Sequence, residues 1–393
     1  MRSRPIVPDL PASLLLPLLL LLLVARPSLS AVYSVHPDGS GDFPTIQTAL
    51  DAAAGGDDIV LTDGTFQGPG NVDLRFFGKA VTLRSQSGDP ATCTIYCRGV
   101  GGGRGLNLDA GETRGTRVES ITVKGGQAFD PEWPGGGGAY CYDSSPTLHN
   151  LVFTECGAFN GHVITAYGGS PLLQECTFSR SMTTIPSSGG AIYAFGSELE
   201  IEDCVFYWNF TSEGGAIWSS GGATLHIIRT VFTANCGSGA ALWCHDSTVG
   251  LSACTLFFNL DDGGAQVRLT GESHLTADRT IIAFADLGTV AVECLDGSTA
   301  MLFCCNIYGN SGGDWVGCLA GQETANNNMW ADPVFCSMDN IDPHLRSDSP
   351  CAEANNAGCG QIGALGVACD GPVPVRFQSW GQIKNRFRGG SRR

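Results

Sequence analysis

Leu199-Glu200-Ile201-Glu202-Asp203-Cys204-Val205-Phe206 is the stretch whose reading decides the fold. Leu199 and Ile201 fall on one side of an alternating run; after a two-residue bend, Cys204 and Phe206 share a side again. Alternation with period two marks a half-buried strand, and no 3.6-residue spacing competes with it. The phrase returns as Leu151-Val-Phe153, Cys176-Thr-Phe178, Thr230-Val-Phe232, Cys254-Thr-Leu256, Thr280-Ile-Ile282 and Cys305-Asn-Ile307. Its last residues, from Phe153 to Ile307, are separated by 25, 28, 26, 24, 26 and 25 positions. Leu225/Ile227, Val249/Leu251 and Leu275 stand where Leu199/Ile201 do. A fixed period of this length means stacked supersecondary units.

Downstream of each phrase comes a glycine turn and a third short strand: Gly189-Gly-Ala-Ile192, Gly214-Gly-Ala-Ile217, Gly239-Ala-Ala-Leu242 and Gly263-Gly-Ala-Gln266. Three short strands and three turns per ~25 residues make one coil of a parallel β-helix, each coil rising by one strand spacing, ~4.8 Å. The expected fold class is all-β, a right-handed parallel β-helix of about ten coils, with the hand taken from the twist preference of parallel crossovers together with the family resemblance described below. Asn209, Asn235, Asn259 and Asn310 stand three residues after the repeating hydrophobe. In a stack they form an amide ladder along the axis, at turns whose left-handed backbone asparagine tolerates. The Asn209-Phe-Thr211 glycosylation sequon falls within that ladder, where a sugar does not fit.

Taken in order, the chain divides into residues 1–30, 31–80, 81–325, 326–370 and 371–393. Arg2 and Arg4 precede the apolar run Leu14 to Val24, and Ser28-Leu-Ser30 places small residues ahead of Ala31. That is the layout of a secretory signal peptide cleaved near Ser30, which predicts a secreted or cell-surface protein. No later stretch is long enough to span a bilayer. In residues 31–80, Ile46, Ala49, Leu50 and Ala53 form the apolar stripe of a short helix that caps the first coil. Gly125 to Gly138, with Asp130, Glu132 and Trp133, is the longest loop of the first half. In 326–370, Cys336, Cys351, Cys359 and Cys369 are expected to staple a C-terminal cap with two disulfides; zinc is the rival, but no Cys-x-x-Cys pair appears. Residues 371–393 are a basic, aromatic tail read as a sorting or attachment signal, or as a tail against the acidic body.

Formal net charge is −16. Without Arg2, Arg4, Arg26 and Asp9 of the leader and the six basic groups of the last 23 residues, residues 31–370 hold 13 basic and 37 acidic side chains, or −24. Such a body repels nucleic acid and anionic membranes. It also disfavours a polyanionic substrate unless calcium bridges the two. Seventeen cysteines and 54 glycines suit a turn-rich exported β protein.

Tyr193, Trp218 and Trp243 follow the glycine motif at 25-residue intervals. Facing outward, they are a strip of rings suited to stacking on sugars; facing inward, they are core. The flanking residues leave the direction open. A polysaccharide or cell-surface glycan is the expected partner, and the chain is expected to act as a monomer.

The Gly-Gly-Ala-Ile and Phe-x-x-Asn pairing (189–192 with 206–209, 214–217 with 232–235) resembles the repeats of chlamydial polymorphic membrane proteins, which are β-helical adhesins. More broadly, residues 33–325 are similar to secreted right-handed β-helices of the pectate-lyase-like superfamily. That resemblance implies the fold; for function it admits lyases, hydrolases, esterases and adhesins alike. Gly39-Ser-Gly-Asp-Phe43 is similar to the opening of pectin methylesterases, but their downstream catalytic phrases are missing. The polygalacturonase pattern is not met either: Gly161-His162-Val163 precedes Asp261-Asp262 where it should follow. For a lyase, the outward positions bring together Glu175, Glu202, Asp203 and Arg229, with Arg229 as base or stabiliser and Glu175, Glu202 and Asp203 as hard oxygen ligands for calcium. Oppositely charged neighbours on an exposed ladder are also ordinary cross-strand pairs. With no catalytic set complete and no cofactor required, the leading expectation is a surface or extracellular binding protein, adhesin-like or carbohydrate-binding. A polysaccharide lyase or glycoside hydrolase is the alternative.

Overall fold

The computed structural model describes residues 30–98, 103–129, 135–158, 161–181, 189–261 and 264–369. The expected leader up to residue 29, the basic tail, Asp130, Glu132 and Trp133 of the long loop, and Asp262 lie outside them.

One coil runs through Ile192–Phe195, Glu198–Glu202 and Val205–Tyr207, and each of these strands joins a different sheet. The first sheet has eleven strands, from Val32–Val35 to Thr299–Phe303. The second has ten, ending at Asn306–Tyr308, and the third nine, ending at Val290–Cys294. Neighbouring strands are parallel and in register one coil apart, as in Leu199↔Leu225 and Ile201↔Ile227. The result is a right-handed parallel β-solenoid of about 12 turns rather than about ten.

Each repeating phrase pairs with the next: Phe153↔Phe178, Phe178↔Phe206, Phe206↔Phe232, Phe232↔Leu256, Leu256↔Ile282 and Ile282↔Ile307. All point inward and are fully buried. The phenylalanines stack, with ring centroids 5.4, 4.6 and 4.8 Å apart from Phe153 to Phe232. Burying each contributes ~1.5–3 kcal/mol. Cys176 and Cys204 stack as small hydrophobes, the Cys176 amide donating to Cys204 Sγ at 3.4 Å, with no bond between them.

The bend between first and second sheets is one left-handed residue per coil: Glu175 (φ 54°), Asp203 (53°), Arg229 (46°), Ala253 (51°), Arg279 (45°) and Cys304 (52°). Left-handed backbone is costly for non-glycine residues; here the stacked strands on either side impose it. A second such corner, at Trp208, Ala234 and Phe258, turns the chain into the asparagine column. There Asn209 Nδ2 donates to Asn235 Oδ1 and Asn235 Nδ2 to Asn259 Oδ1, both at 2.9 Å. Where the column is broken by Ala285, Gln266 bridges it, accepting from Asn259 at 3.0 Å and donating to Asn310 at 2.7 Å. The sequon asparagine, Asn209, is completely buried. At the glycine turn, Gly214 has φ +64°, and a Cβ on Gly215 would lie 2.2 Å from the Ala240 carbonyl oxygen. The motif is therefore steric.

The helix Ile46–Ala52 is capped by Thr45, whose side chain accepts from the Thr48 amide, and Ile46, Ala49 and Leu50 are fully buried. At the other end, the expected cysteine pairing needs correction. Cys336 bonds Cys369, but Cys359 bonds Cys304 of the solenoid, a third bridge joins Cys294 and Cys318, and Cys351 is buried and free. The reason lies in the Cys304-Cys305 pair. Cys305 takes the inward column, so Cys304 sits on the outward bend where the cap can reach it. The cap places Phe335, Leu345, Cys351 and Ile362 against Phe257, Ile281 and Ala283 of the second sheet's outer face. Among the described residues no helix is long and apolar enough to cross a membrane.

Candidate functional site

Ile192–Phe195 and Leu242–His245 of the third sheet alternate between buried and open positions. Ile192 and Ala194 point in and are fully buried, so Tyr193 and Phe195 must point out. The direction left open in the sequence is thereby decided: Tyr193, Trp218 and Trp243 are successive partners on the outer face. The Tyr193 and Trp218 rings stack, 4.7 Å apart and 14° from parallel. A second outward column lies beside them, Tyr142↔Tyr167↔Phe195. Tyr167 touches both columns, 5.7 Å from Tyr193 and 5.8 Å from Phe195. Tyr142 and Phe195 are 48% and 44% exposed, large for apolar rings. Burial among neighbouring rings pushes the Tyr193 hydroxyl up to about 12 and those of Tyr140 and Tyr167 above their ordinary value. At neutral pH all three are neutral hydroxyls, able to donate.

Polar groups frame the rings. Trp243 Nε1 donates to Thr270 Oγ1 at 3.2 Å, and His245 Nδ1 lies 3.0 Å from the same oxygen. His245 is thus part of a network, which its Nε2, 3.4 Å from Asp246 Oδ2, extends. Arg268, next in register after Trp243, lies over that indole at 5.5 Å. It pairs with Glu293 at 2.7 Å and Asp261 at 3.7 Å, and donates to Ser238 Oγ. At the other end Arg104 lies over Tyr140 at 4.9 Å and donates to the Gly135 carbonyl. His162, buried beneath the glycine turns, has its pKa driven down to about 4 by desolvation.

The charged candidates lie elsewhere, on the outer edge of the first sheet, and the structure brings only some of them together. Arg229 grips Asp203 through Nε and Nη2, both at 2.7 Å, and reaches Glu202 at 3.0 Å. The other Glu202 oxygen accepts from Gln174 at 2.9 Å. Glu175 stands apart, 3.6 Å from His149. Hydrogen bonds to Asp203 and Glu202 drive the Arg229 pKa up, holding the guanidinium protonated and unsuited to act as a base. Among the described residues no group of three or more His, Cys, Asp or Glu side chains is positioned to hold a metal ion. The geometry here is that of cross-strand pairing on an exposed face.

The sequence reading found three rings of the outward face and missed Tyr142, Tyr167 and Phe195, as well as the Arg268 and Thr270 contacts. A signal was present: Tyr140/Tyr142 and Tyr193/Phe195 each repeat at i, i+2 within the strand after a glycine turn. The column's steps, 25 from Tyr142 to Tyr167 and 28 from Tyr167 to Phe195, keep the period of the inward phrase, but the residue type changes along the column, which ends in Ser220.

Strand order, handed stacking and the amide ladder define a class, and comparison with known proteins agrees. The family model for the right-handed β-helix region matches residues 102–256 and 181–329, together more than half of the chain. The chain belongs to that family. Among solved structures, pectate lyase Pel9A is similar over 87% of this chain and 97% of its own, at 13% identity and a TM-score of 0.47. Pectin methylesterase from carrot is similar over 78% and 90%, at 11% identity and a TM-score of 0.31. Metabotropic glutamate receptor-like protein R of Dictyostelium discoideum is 31% identical over 87 residues, 22% of this chain. The chain spans about 5% of that relative's length.

Proposed function

We propose that this protein is an extracellular binding protein, secreted or held at the cell surface, that takes a carbohydrate chain on the outward aromatic face of its third sheet. The observation that carries the reading is the paired columns Tyr142–Tyr167–Phe195 and Tyr193–Trp218–Trp243 on a rigid, in-register sheet. Contiguous outward rings, exposed at Tyr142 and Phe195 and partly exposed at the others, mark an interaction surface, and rings on a fixed scaffold lose little conformational freedom on binding. Pyranose rings present apolar C–H faces that stack on such rings, while His245 and the Tyr193 hydroxyl offer hydrogen bonds to sugar hydroxyls. Three disulfides suit an oxidising, extracellular setting. An adhesin-like role follows if the glycan belongs to another cell. Neither calcium nor another cofactor enters this reading, because Glu202 and Asp203 are already paired with Arg229.

The test is retention of the protein on immobilised plant, microbial and animal glycans, with calcium and with chelator, while released products are followed in the same reactions. Retention without turnover, lost in Trp218→Ala and kept in Arg229→Ala, is the expected result. Product release abolished by Arg229→Ala would replace this reading with a lyase centred on Glu202, Asp203 and Arg229.

A further inference from the structure

Resting on that reading, we infer the class of glycan: an uncharged, linear chain laid along the solenoid axis, stacked on rings from five successive coils and read at its hydroxyls by the His245–Asp246 pair. The outward rings, exposed at Tyr142 and Phe195 and partly buried at the others, follow one path. It begins at Tyr142, continues through Tyr167 to the coil that carries both Phe195 and Tyr193, and crosses there to the Trp218 and Trp243 column. With ~4.8 Å between neighbouring strands, its four steps span roughly 19 Å, perpendicular to the strands. A single sugar touches one or two of these rings; only an extended chain touches all.

Charge settles the class. The arginine at the C-terminal end of the path, Arg268, is 19% exposed and already bonded to Glu293, Asp261 and Ser238. Arg104, at the far end, is committed to the Tyr140 ring and the Gly135 carbonyl, and Tyr140 is itself buried. Along the exposed path between them, the outward residues are aromatic, hydroxylated or imidazole-bearing. Within the path a uronate or sulfated chain therefore meets no cation to neutralise it, on a body whose residues 31–370 carry −24. Arg75, exposed on the same outer face two coils before Tyr140, is paired with Asp109 at 3.5 Å. Bringing a polyanion to that surface costs electrostatic work that stacking alone does not return. An uncharged chain meets no such barrier. Where the second column changes from Phe195 to Ser220, and further on to His245 and Thr270, the rim becomes polar beside the two tryptophans. His245 Nδ1 lies 3.0 Å from Thr270 Oγ1 and its Nε2 3.4 Å from Asp246 Oδ2, and this half-exposed pair meets the chain's hydroxyls.

The experiment uses the full chain in native affinity electrophoresis through gels holding hydroxyethyl cellulose, galactomannan, polygalacturonate or alginate, at low and high salt. Calorimetry with neutral oligosaccharides of increasing length accompanies it. At least one neutral polymer should retard the protein at both salt levels, with neither polyanion doing so. Affinity should rise with chain length until roughly 19 Å is covered. Trp243→Ala and the more exposed Phe195→Ala should each weaken binding at least fivefold, by the ~1 kcal/mol or more typical of a central aromatic contact. His245→Ala should weaken and reorder preference among the neutral oligosaccharides. Retardation by polygalacturonate alone, lost in Trp243→Ala, would overturn the uncharged class while leaving the glycan-binding face intact. Monosaccharides bound as tightly as long oligomers would overturn the linear arrangement. No retardation by any polymer would overturn the glycan reading itself.

Discussion

At the residue scale, Asn235 and Arg229 show how differently two polar side chains act in one fold. Asn235 is fully buried; its Oδ1 accepts from the Asn209 amide and side chain, and its Nδ2 donates to the Phe206 carbonyl. Asn235→Ala leaves buried donors and an acceptor unmatched, for an expected loss of ~2–4 kcal/mol in urea unfolding. Arg229 makes three charged hydrogen bonds, but in the open, where ion pairs are screened. Arg229→Ala should cost under ~1 kcal/mol in the same assay. Equal losses from the two would contradict the assignment of one as ladder and the other as surface pair. The ladder was legible in the sequence because its asparagines keep the period. Gln266 was not, because it enters the ladder from the following strand rather than at the repeat position.

At the scale of the element, each coil is held by what it lays on its neighbours. Phe206 is stacked between Phe178 and Phe232, so Phe206→Ala opens a cavity that rigid strands cannot close, at ~3–5 kcal/mol. Gly215→Ala tests the turn instead. Its Cβ would meet a carbonyl oxygen of the next coil at 2.2 Å, and the coils must part to admit it. We expect a large fall in the urea midpoint from a single added methyl, whereas Ala216→Gly, with no clash to create, should cost less. A tolerated Gly215→Ala would mean the coils are further apart at this turn than the structure has them. Strand phase was legible from alternation alone. The aromatic face was legible only in part, since its second column changes from Tyr to Phe to Ser along the axis.

For the whole molecule, the cysteines divide by place. One disulfide, Cys304–Cys359, locks the last coils to the cap, one lies within each part, and eleven thiols remain, ten of them buried. Burial pushes those of Cys93, Cys141, Cys156, Cys244, Cys254, Cys305 and Cys351 from the ordinary value of 9.0 up to about 12. An unfolded chain releases these protons first. The stability they contribute is full below pH 9 and falls as pH rises toward 12. A urea midpoint that stayed level across that window would count against a sealed thiol interior; a steady decline, with thiols slow to react in the native protein, is expected. The sequence by itself determined the solenoid, its axis and its inward columns, because period and alternation are local properties that every coil repeats. Only the tertiary structure decided which way the aromatic column faces, that Cys359 reaches Cys304, and that Arg229 is bound to its own carboxylates. Each of these depends on how coils of unequal length are brought side by side, which spacing along the chain does not specify.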